Sequence, residues 1–292
     1  MIISQIIGGL GNQMFQYATG LSLSLARAQP LQLDISGFAG YSLHQGFELK
    51  RVFNCPAEIA SAADVRAILA WQCLPGIKRI IARPGMAAFR RGGFIVEPHF
   101  HYWPEIKHVP RNCYLAGYWQ SEKYFQTHAA AIRADFTFKP PLADSNAKLA
   151  EQIGQVNAVS LHVRRGDYVS NAKANATHGV CSLDYYRTAV SYVSDRVTRP
   201  YFFIFSDDIA WVKDNLKMDV PCRYVDHNQG EQSYNDMHLM SLCRHHIIAN
   251  SSFSWWGAWL NPRTEKIVVA PRKWFANKNN IKDLFPSDWV IM

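Results

Sequence analysis

Short apolar runs alternate with amphipathic stretches along most of the chain, the pattern of strands feeding helices in an α/β protein. Residues 1–7 (MIISQII) read as a buried strand, 8–13 (GGLGNQ) as a turn, 13–28 as a helix and 30–36 as a second strand. Residues 112–120 read as a strand leaving the sheet, and 121–136 as one helix with Ser121 as its N-cap. From about 40 to 110 the periodicity is too irregular to assign. Two adjacent prolines in 137–148 (TFKPPLADSNAK) favour an extended link and predict a domain boundary, giving units 1–139 and 140–292. The second is more regular. Strands at 157–163, 201–206, 222–226, 246–250 and 266–270 alternate with helices at 182–197, 207–216, 233–245 and 251–260, with Asp207 as the cap of the second helix. Five parallel strands with four crossover helices make a doubly wound domain.

Composition narrows the class. With 48% hydrophobic and 18% charged residues the chain buries a core and is not disordered. The net charge of +8 suits an anionic partner. No dense Lys/Arg run accompanies it, which argues against nucleic acid. Nine tryptophans fill cores or form the flat platforms on which sugar rings stack. Six cysteines without a CxxC pair read as reduced thiols. MIISQII lacks the charged start of a signal peptide, and no apolar run reaches the ~18 residues of a transmembrane helix. A cytoplasmic enzyme is the expectation, with the inner membrane face as a site of peripheral attachment.

In doubly wound sheets ligands sit beyond the carboxyl ends of strands, so the chemistry is sought in the loops that follow them. Residues 162–167 (HVRRGD) place Arg164 and Arg165 at such an end. A diphosphate has enough oxygens for both guanidinium groups, and Asp167 is placed to hold one of them. Residues 250–254 (NSSFS) open a helix whose N–H groups and hydroxyls suit an anion, although one serine would suffice as a cap. In GGLGNQ the glycines allow close backbone approach, and Asn12 and Gln13 add amide donors. It is neither a Walker loop nor GxGxxG. Asp236 shares an inward helix face with Leu239, Met240 and Cys243; it either reads the adjacent N1–H and 2-amino donors of guanine or pairs with a buried Arg or His. No DxD motif is present to hold a divalent metal. His245 and His246, adjacent on a strand, face opposite ways and make a poor zinc pair. A Ser–His–Asp hydrolase at Ser251 or Ser252 lacks the GxSxG elbow. A lectin or other non-catalytic binder would not need two arginines and a serine-rich helix start.

Five stretches together resemble glycosyltransferase family 11, the bacterial α-1,2-fucosyltransferases: IIGGLGNQMFQYA, GYWQSEKYF, HVRRGDY, FIFSDD and DMHLMSLCRHHIIANSSFSWWGAWLN. The resemblance runs nearly end to end and is weakest at 40–110. It implies a GT-B-like α/β fold, two Rossmann-type halves with the active site in the cleft between them. It implies GDP-β-L-fucose as donor, a β-galactoside as acceptor, inversion at the anomeric carbon, and neither cofactor nor metal. Carried over by position, Arg164 and Arg165 meet the diphosphate, with Arg164 at the β-phosphate, and His162 and Asp236 read the guanine or ribose. Ser251, Ser252, Phe253 and Ser254 form the phosphate-binding helix start. Asn12 lies near the transferred sugar with Gly11 and Gln13 beside it, and Asp207 is a secondary donor residue. Trp103, Tyr118 and Trp119 are the expected acceptor surface. The base that takes the acceptor proton is unassigned.

Overall fold

The computed structural model describes residues 1–40, 45–276 and 279–292. Two compact units make up the chain: Met1–Lys139 with Asn280–Leu284, and Pro140–Asn279 with Phe285–Met292. The second unit is therefore interrupted. Asp283 explains the excursion, since its carboxylate takes Lys123 Nζ at 2.5 Å and the Tyr102 N–H at 3.2 Å within the first unit.

The first unit holds five parallel strands, β1 (Ile2–Gln5), β2 (Leu31–Asp34), β3 (Glu58–Ile59), β4 (Phe94–Val96) and β5 (Cys113–Ala116), in the order β3-β2-β1-β5-β4. Its longer helices are α1 (Leu10–Arg27), α2 (Ala62–Leu69) and α3 (Pro75–Ile81). Helix α1 buries Met14, Phe15, Tyr17 and Ala18 completely. The strand expected to leave the sheet lies inside it, since β5 pairs with both β1 and β4. The irregular stretch conceals β3 and β4, which at two and three residues are too short to show a period of two.

The single helix expected at 121–136 is broken into 3-10 turns at Glu122–Tyr124 and Gln126–His128 and a helix at Ala129–Asp135. Phe125 leaves helical geometry (φ −141°) and is fully buried, its ring 6.1 Å from that of Phe15. Burial of that ring outweighs helix continuity. Ser121 does cap the first turn, accepting the Lys123 N–H at 3.3 Å.

The second unit has six parallel strands, one more than the sequence pattern showed: β6 (Asn157–Val163), β7 (Pro200–Ser206), β8 (Cys222–Val225), β9 (His245–Ile247), β10 (Val268–Ala270) and the two-residue β11 (Val290–Ile291). Their order is β11-β10-β9-β6-β7-β8. Its helices include α4 (Asp144–Gln155), α5 (Leu183–Ser194), α6 (Ile209–Asn215), α7 (Tyr234–Leu242) and α8 (Ser252–Leu260), with two short ones at Gly166–Ser170 and Ala172–His178. Val159, Leu161, Phe202 and Ile204 are fully buried, as parallel strands covered on both faces require. Among the described residues no helix is long and apolar enough to cross a membrane.

Candidate active site

In each sheet the chain starts near the middle, runs to one edge, and then returns to the other side. That creates a topological switch point, where adjacent strands send their following loops apart and leave a crevice. In the second unit it lies between β6 and β9, and in the first between β1 and β5. The motifs noted in the sequence occupy these positions: HVRRGD ends β6, NSSFS follows β9, GGLGNQ follows β1 and GYWQ follows β5.

At the β6 end the two arginines are held by different acids. Arg164 Nη1 lies 2.9 Å from Asp207 Oδ2, with both side chains about 25% exposed. Arg165 donates its backbone N–H to Asp207 Oδ1 at 2.8 Å and its Nε to Asp208 at 3.2 Å, with its guanidinium 3.5 Å from the Trp211 ring centre. Asp207 is thus a clamp on the loop. The sequence reading of Asp207 as a helix cap is corrected: Asp208 caps α6, accepting the Trp211 N–H at 3.3 Å. Arg165 is stacked on Trp211 and bonded to Asp208, whereas the Arg164 guanidinium lies 5.5 Å from the Tyr168 ring centre. Gly166 permits the arrangement, because a Cβ there would stand 2.5 Å from Asp207 Oδ2. The side chain of Asp167 lies outside the described residues.

His162 is buried beside this pair, its ring 5.9 Å from that of Phe253 across the switch point. Burial pushes its imidazole down to about 4, against the pull of Asp207 and with a further push from Arg164. It is a neutral ring near pH 7, and its Nδ1 has no hydrogen-bond partner among the described residues. The serines divide their work. Ser251 caps α8 by accepting the Phe253 N–H at 3.3 Å. Ser254 is buried with its hydroxyl on the Ser251 carbonyl at 3.3 Å. Ser252 is half-buried and is the serine whose hydroxyl is not committed to the helix start.

Among the described residues Asp236 pairs with neither Arg nor His. It is half-buried and accepts Asn228 Nδ2 at 2.7 Å; Asn228 is held in turn by Asn146, to which His227 also bonds. Burial pushes its carboxyl up to about 7, partly opposed by the Asn228 bond. His246 proves to be a core residue, buried between Ser160 (2.8 Å) and Asn261 (2.9 Å). No cluster with metal-ligand geometry occurs among the described residues.

In the first unit Gly11, Asn12 and Gln13 lie in the first turn of α1, which begins without a side-chain cap or an acidic residue. Its positive end is therefore uncompensated. Gly8 has φ +78°, and a Cβ there would stand 2.9 Å from Asn12 Nδ2, so glycine is required for the loop to fold back on the amide. Gln120 donates to Asn12 Oδ1 at 2.7 Å, which links the loops after β1 and β5 and leaves Nδ2 as the available donor. Gln13 is spent on the loop: its amide nitrogen bonds the Gly8 and Gly46 carbonyls and its oxygen takes the Glu48 N–H. Trp119 must also be corrected as a stacking platform, since it is fully buried with no ring face open. Tyr118 is exposed and Trp103 half-buried.

Glu97, at the end of β4, was not singled out in the sequence. Its two oxygens take the N–H groups of Tyr118 (2.7 Å) and Trp119 (3.0 Å), and burial pushes its carboxyl up to about 7. Its signal was an acid closing the apolar triplet FIV, which only its membership of a sheet could reveal.

Each unit thus places polar side chains in the loops at the switch point of its own parallel sheet. The model of glycosyl transferase family 11 matches residues 102–292, and the chain belongs to that family. The chain is 38% identical to the alpha-1,2-colitosyltransferase of Escherichia coli, covering 99% of this chain and 98% of that protein. It is 34% identical to the O-antigen biosynthesis glycosyltransferase WbnK of Escherichia coli, covering 98% and 99%. Among solved structures, the NodZ alpha-1,6-fucosyltransferase co-crystallized with GDP superposes with a TM-score of 0.56 at 16% identity, covering 92% of this chain and 94% of that one. That likeness concerns the fold, and it agrees with the GT-B-like α/β class.

Proposed function

We propose that the protein transfers L-fucose from GDP-β-L-fucose to the 2-hydroxyl of a terminal β-galactoside, with inversion and without a divalent cation, in the synthesis of a surface glycan such as O-antigen. The observation that carries this reading is the Asp207-clamped Arg164 at the end of β6, with the β9–α8 loop on the other side of the same switch point. As the C1–O bond breaks, the sugar becomes oxocarbenium-like and the leaving GDP gains negative charge. A guanidinium and helix N–H groups already fixed in place stabilise that charge more in the transition state than in the ground state. They perform the task a metal ion would perform elsewhere.

His162 and Asp236 serve the nucleoside. A carboxylate accepts both N1–H and the 2-amino group of guanine, and Asn228 holds Asp236 in place for it. Asn12 Nδ2, oriented by Gln120, serves the sugar. Glu97 is the carboxylate of the first unit suited to take the acceptor proton. It lies at the carboxyl edge of the sheet, its oxygens are fixed by the Tyr118 and Trp119 N–H groups that precede Gln120, and burial raises its carboxyl to about 7. Tyr118 and Trp103 remain candidates for stacking on the galactoside.

Transfer of colitose, which is fucose lacking its 3-hydroxyl, is the second reading, favoured by the 38% identity to a colitosyltransferase. GDP release in the presence of EDTA decides between them when GDP-fucose, GDP-colitose and GDP-mannose are each offered with lactose or Gal-β1,3-GalNAc. Release from GDP-fucose that depends on acceptor supports the first reading, and release from GDP-colitose alone replaces it with the second. Release only with GDP-mannose, or only with added metal, refutes both.

A further inference from the structure

Residues 65–96 contain six cations and no acid. Two of the six are engaged internally: Lys78 pairs with Asp34 at 2.9 Å, and Arg90 bonds the carbonyls of Ile81 and Arg83. The other four, Arg66, Arg79, Arg83 and Arg91, are exposed, and among the described residues no carboxylate pairs with them. The same stretch exposes four large apolar side chains, Trp71 (51%), Leu74 (52%), Ile80 (49%) and Phe89 (60%).

These are not residues awaiting the core. Helix α3 already turns Ile77 and Ile81 inward, against Leu69 and Tyr114. A surface helix normally places polar residues on its outer side, and here that side carries Ile80 with Leu74 at its start. The turns Ala70–Cys73 and Pro84–Phe89 flank α3 directly in the chain, so the four apolar groups lie on three successive elements.

We propose that this face of the first unit docks on an anionic lipid bilayer, with Trp71, Leu74, Ile80 and Phe89 entering the headgroup boundary and Arg66, Arg79, Arg83 and Arg91 meeting lipid phosphates. Exposed Trp, Phe, Leu and Ile interleaved with arginine is the chemistry of an interfacial anchor, in which apolar burial and attraction to anionic lipid act together. A nucleic acid would be met by the arginines but offers no apolar interior to Leu74 and Ile80, which a bilayer does. The inference deepens the surface-glycan reading, in which a membrane-bound acceptor is the natural substrate. It does not depend on which sugar is transferred.

The test is co-sedimentation of the full chain with vesicles of phosphatidylcholine alone or with about one-third phosphatidylglycerol. Binding to the anionic vesicles only, weakened by salt, is expected. The double variants Trp71→Ser/Phe89→Ser and Arg79→Glu/Arg83→Glu should each lose at least ~10-fold in partitioning while keeping wild-type transfer to a water-soluble galactoside. Hydrogen exchange on the unaltered protein should show vesicle-induced protection confined to residues 66–91, which checks the surface without any substitution. Absence of wild-type binding, or equal binding by the variants, would overturn the proposal. So would lipid-free self-association abolished by Trp71→Ser/Phe89→Ser, which would assign the face to a second copy, or tighter binding to a short RNA. Failure of the transferase reading would appear separately, as loss of transfer to the soluble acceptor by the wild type.

Discussion

Gly166→Ala isolates the anion clamp without touching a charged group. The new Cβ would stand 2.5 Å from Asp207 Oδ2 and 3.0 Å from its Cγ. Relief requires the carboxylate to swing away by roughly 0.9 Å or more, the gap to an ordinary contact. That movement breaks two bonds together, Arg164 Nη1 to Oδ2 and the Arg165 N–H to Oδ1. Fully desolvated, such charge-assisted bonds contribute ~1.5–3 kcal/mol each. Both side chains are a quarter exposed, so water recovers much of this and about 1–2 kcal/mol is expected in all. If the loss falls on transition-state binding, kcat/KM for the GDP-sugar drops ~5- to 30-fold. The assay is GDP release at sub-saturating donor, with GDP affinity by calorimetry. Gly154→Ala, in α4 with open space around its Cβ, is the control and should leave kinetics unchanged. The decisive comparison is the double variant with Asp207→Ala. If the clash acts through Asp207, adding Gly166→Ala to that background costs nothing further. Additive losses, or wild-type kcat/KM in folded Gly166→Ala, would refute the clamp.

Arg164→Ala should cost ~3–4 kcal/mol of transition-state stabilisation, the scale of a lost oxyanion donor, and Arg164→Lys should also fail because the fork is lost; steady-state kinetics check both. GDP should bind more tightly as pH rises through about 7, because guanine requires the Asp236 carboxylate, and calorimetry in buffers of different ionisation enthalpy should detect proton release that Asp236→Asn abolishes. The sign for stability is opposite. A carboxyl raised in the fold binds its proton there and not in the unfolded chain, so between about 4 and 7 it makes the free protein less stable as pH rises, and Asp236→Asn should flatten that slope in urea melts. Glu97→Gln should lower kcat by ~10²-fold with little change in KM and remove an acid limb of kcat near pH 7; an unchanged pH profile would take the proton-acceptor role from Glu97.

The sequence by itself determined the strand–helix alternation, the break near residue 140 and the placement of the candidate motifs in loops after strands. These follow from local rules: apolar runs of strand length, prolines that end a helix, and strand ends that must turn. Arg164, Arg165 and the serine-rich helix start were legible because the motif and its position after a strand lie within a few residues. Longer-range decisions were not. The assignment of Asp208 to the helix cap and Asp207 to the arginines turned on a salt bridge across 43 residues, from β6 to the end of β7. Trp119 and Tyr118 are adjacent in sequence, yet only the packing around β5 buries one and exposes the other. Strands of two or three residues, such as β3 and β11, are formed by pairing with neighbours already in place, because their own pattern is too short to specify them. Glu97 is the plainest case. Its proton affinity comes from burial, partly opposed by N–H groups 21 and 22 residues away, and a lone glutamate in a sequence carries neither influence.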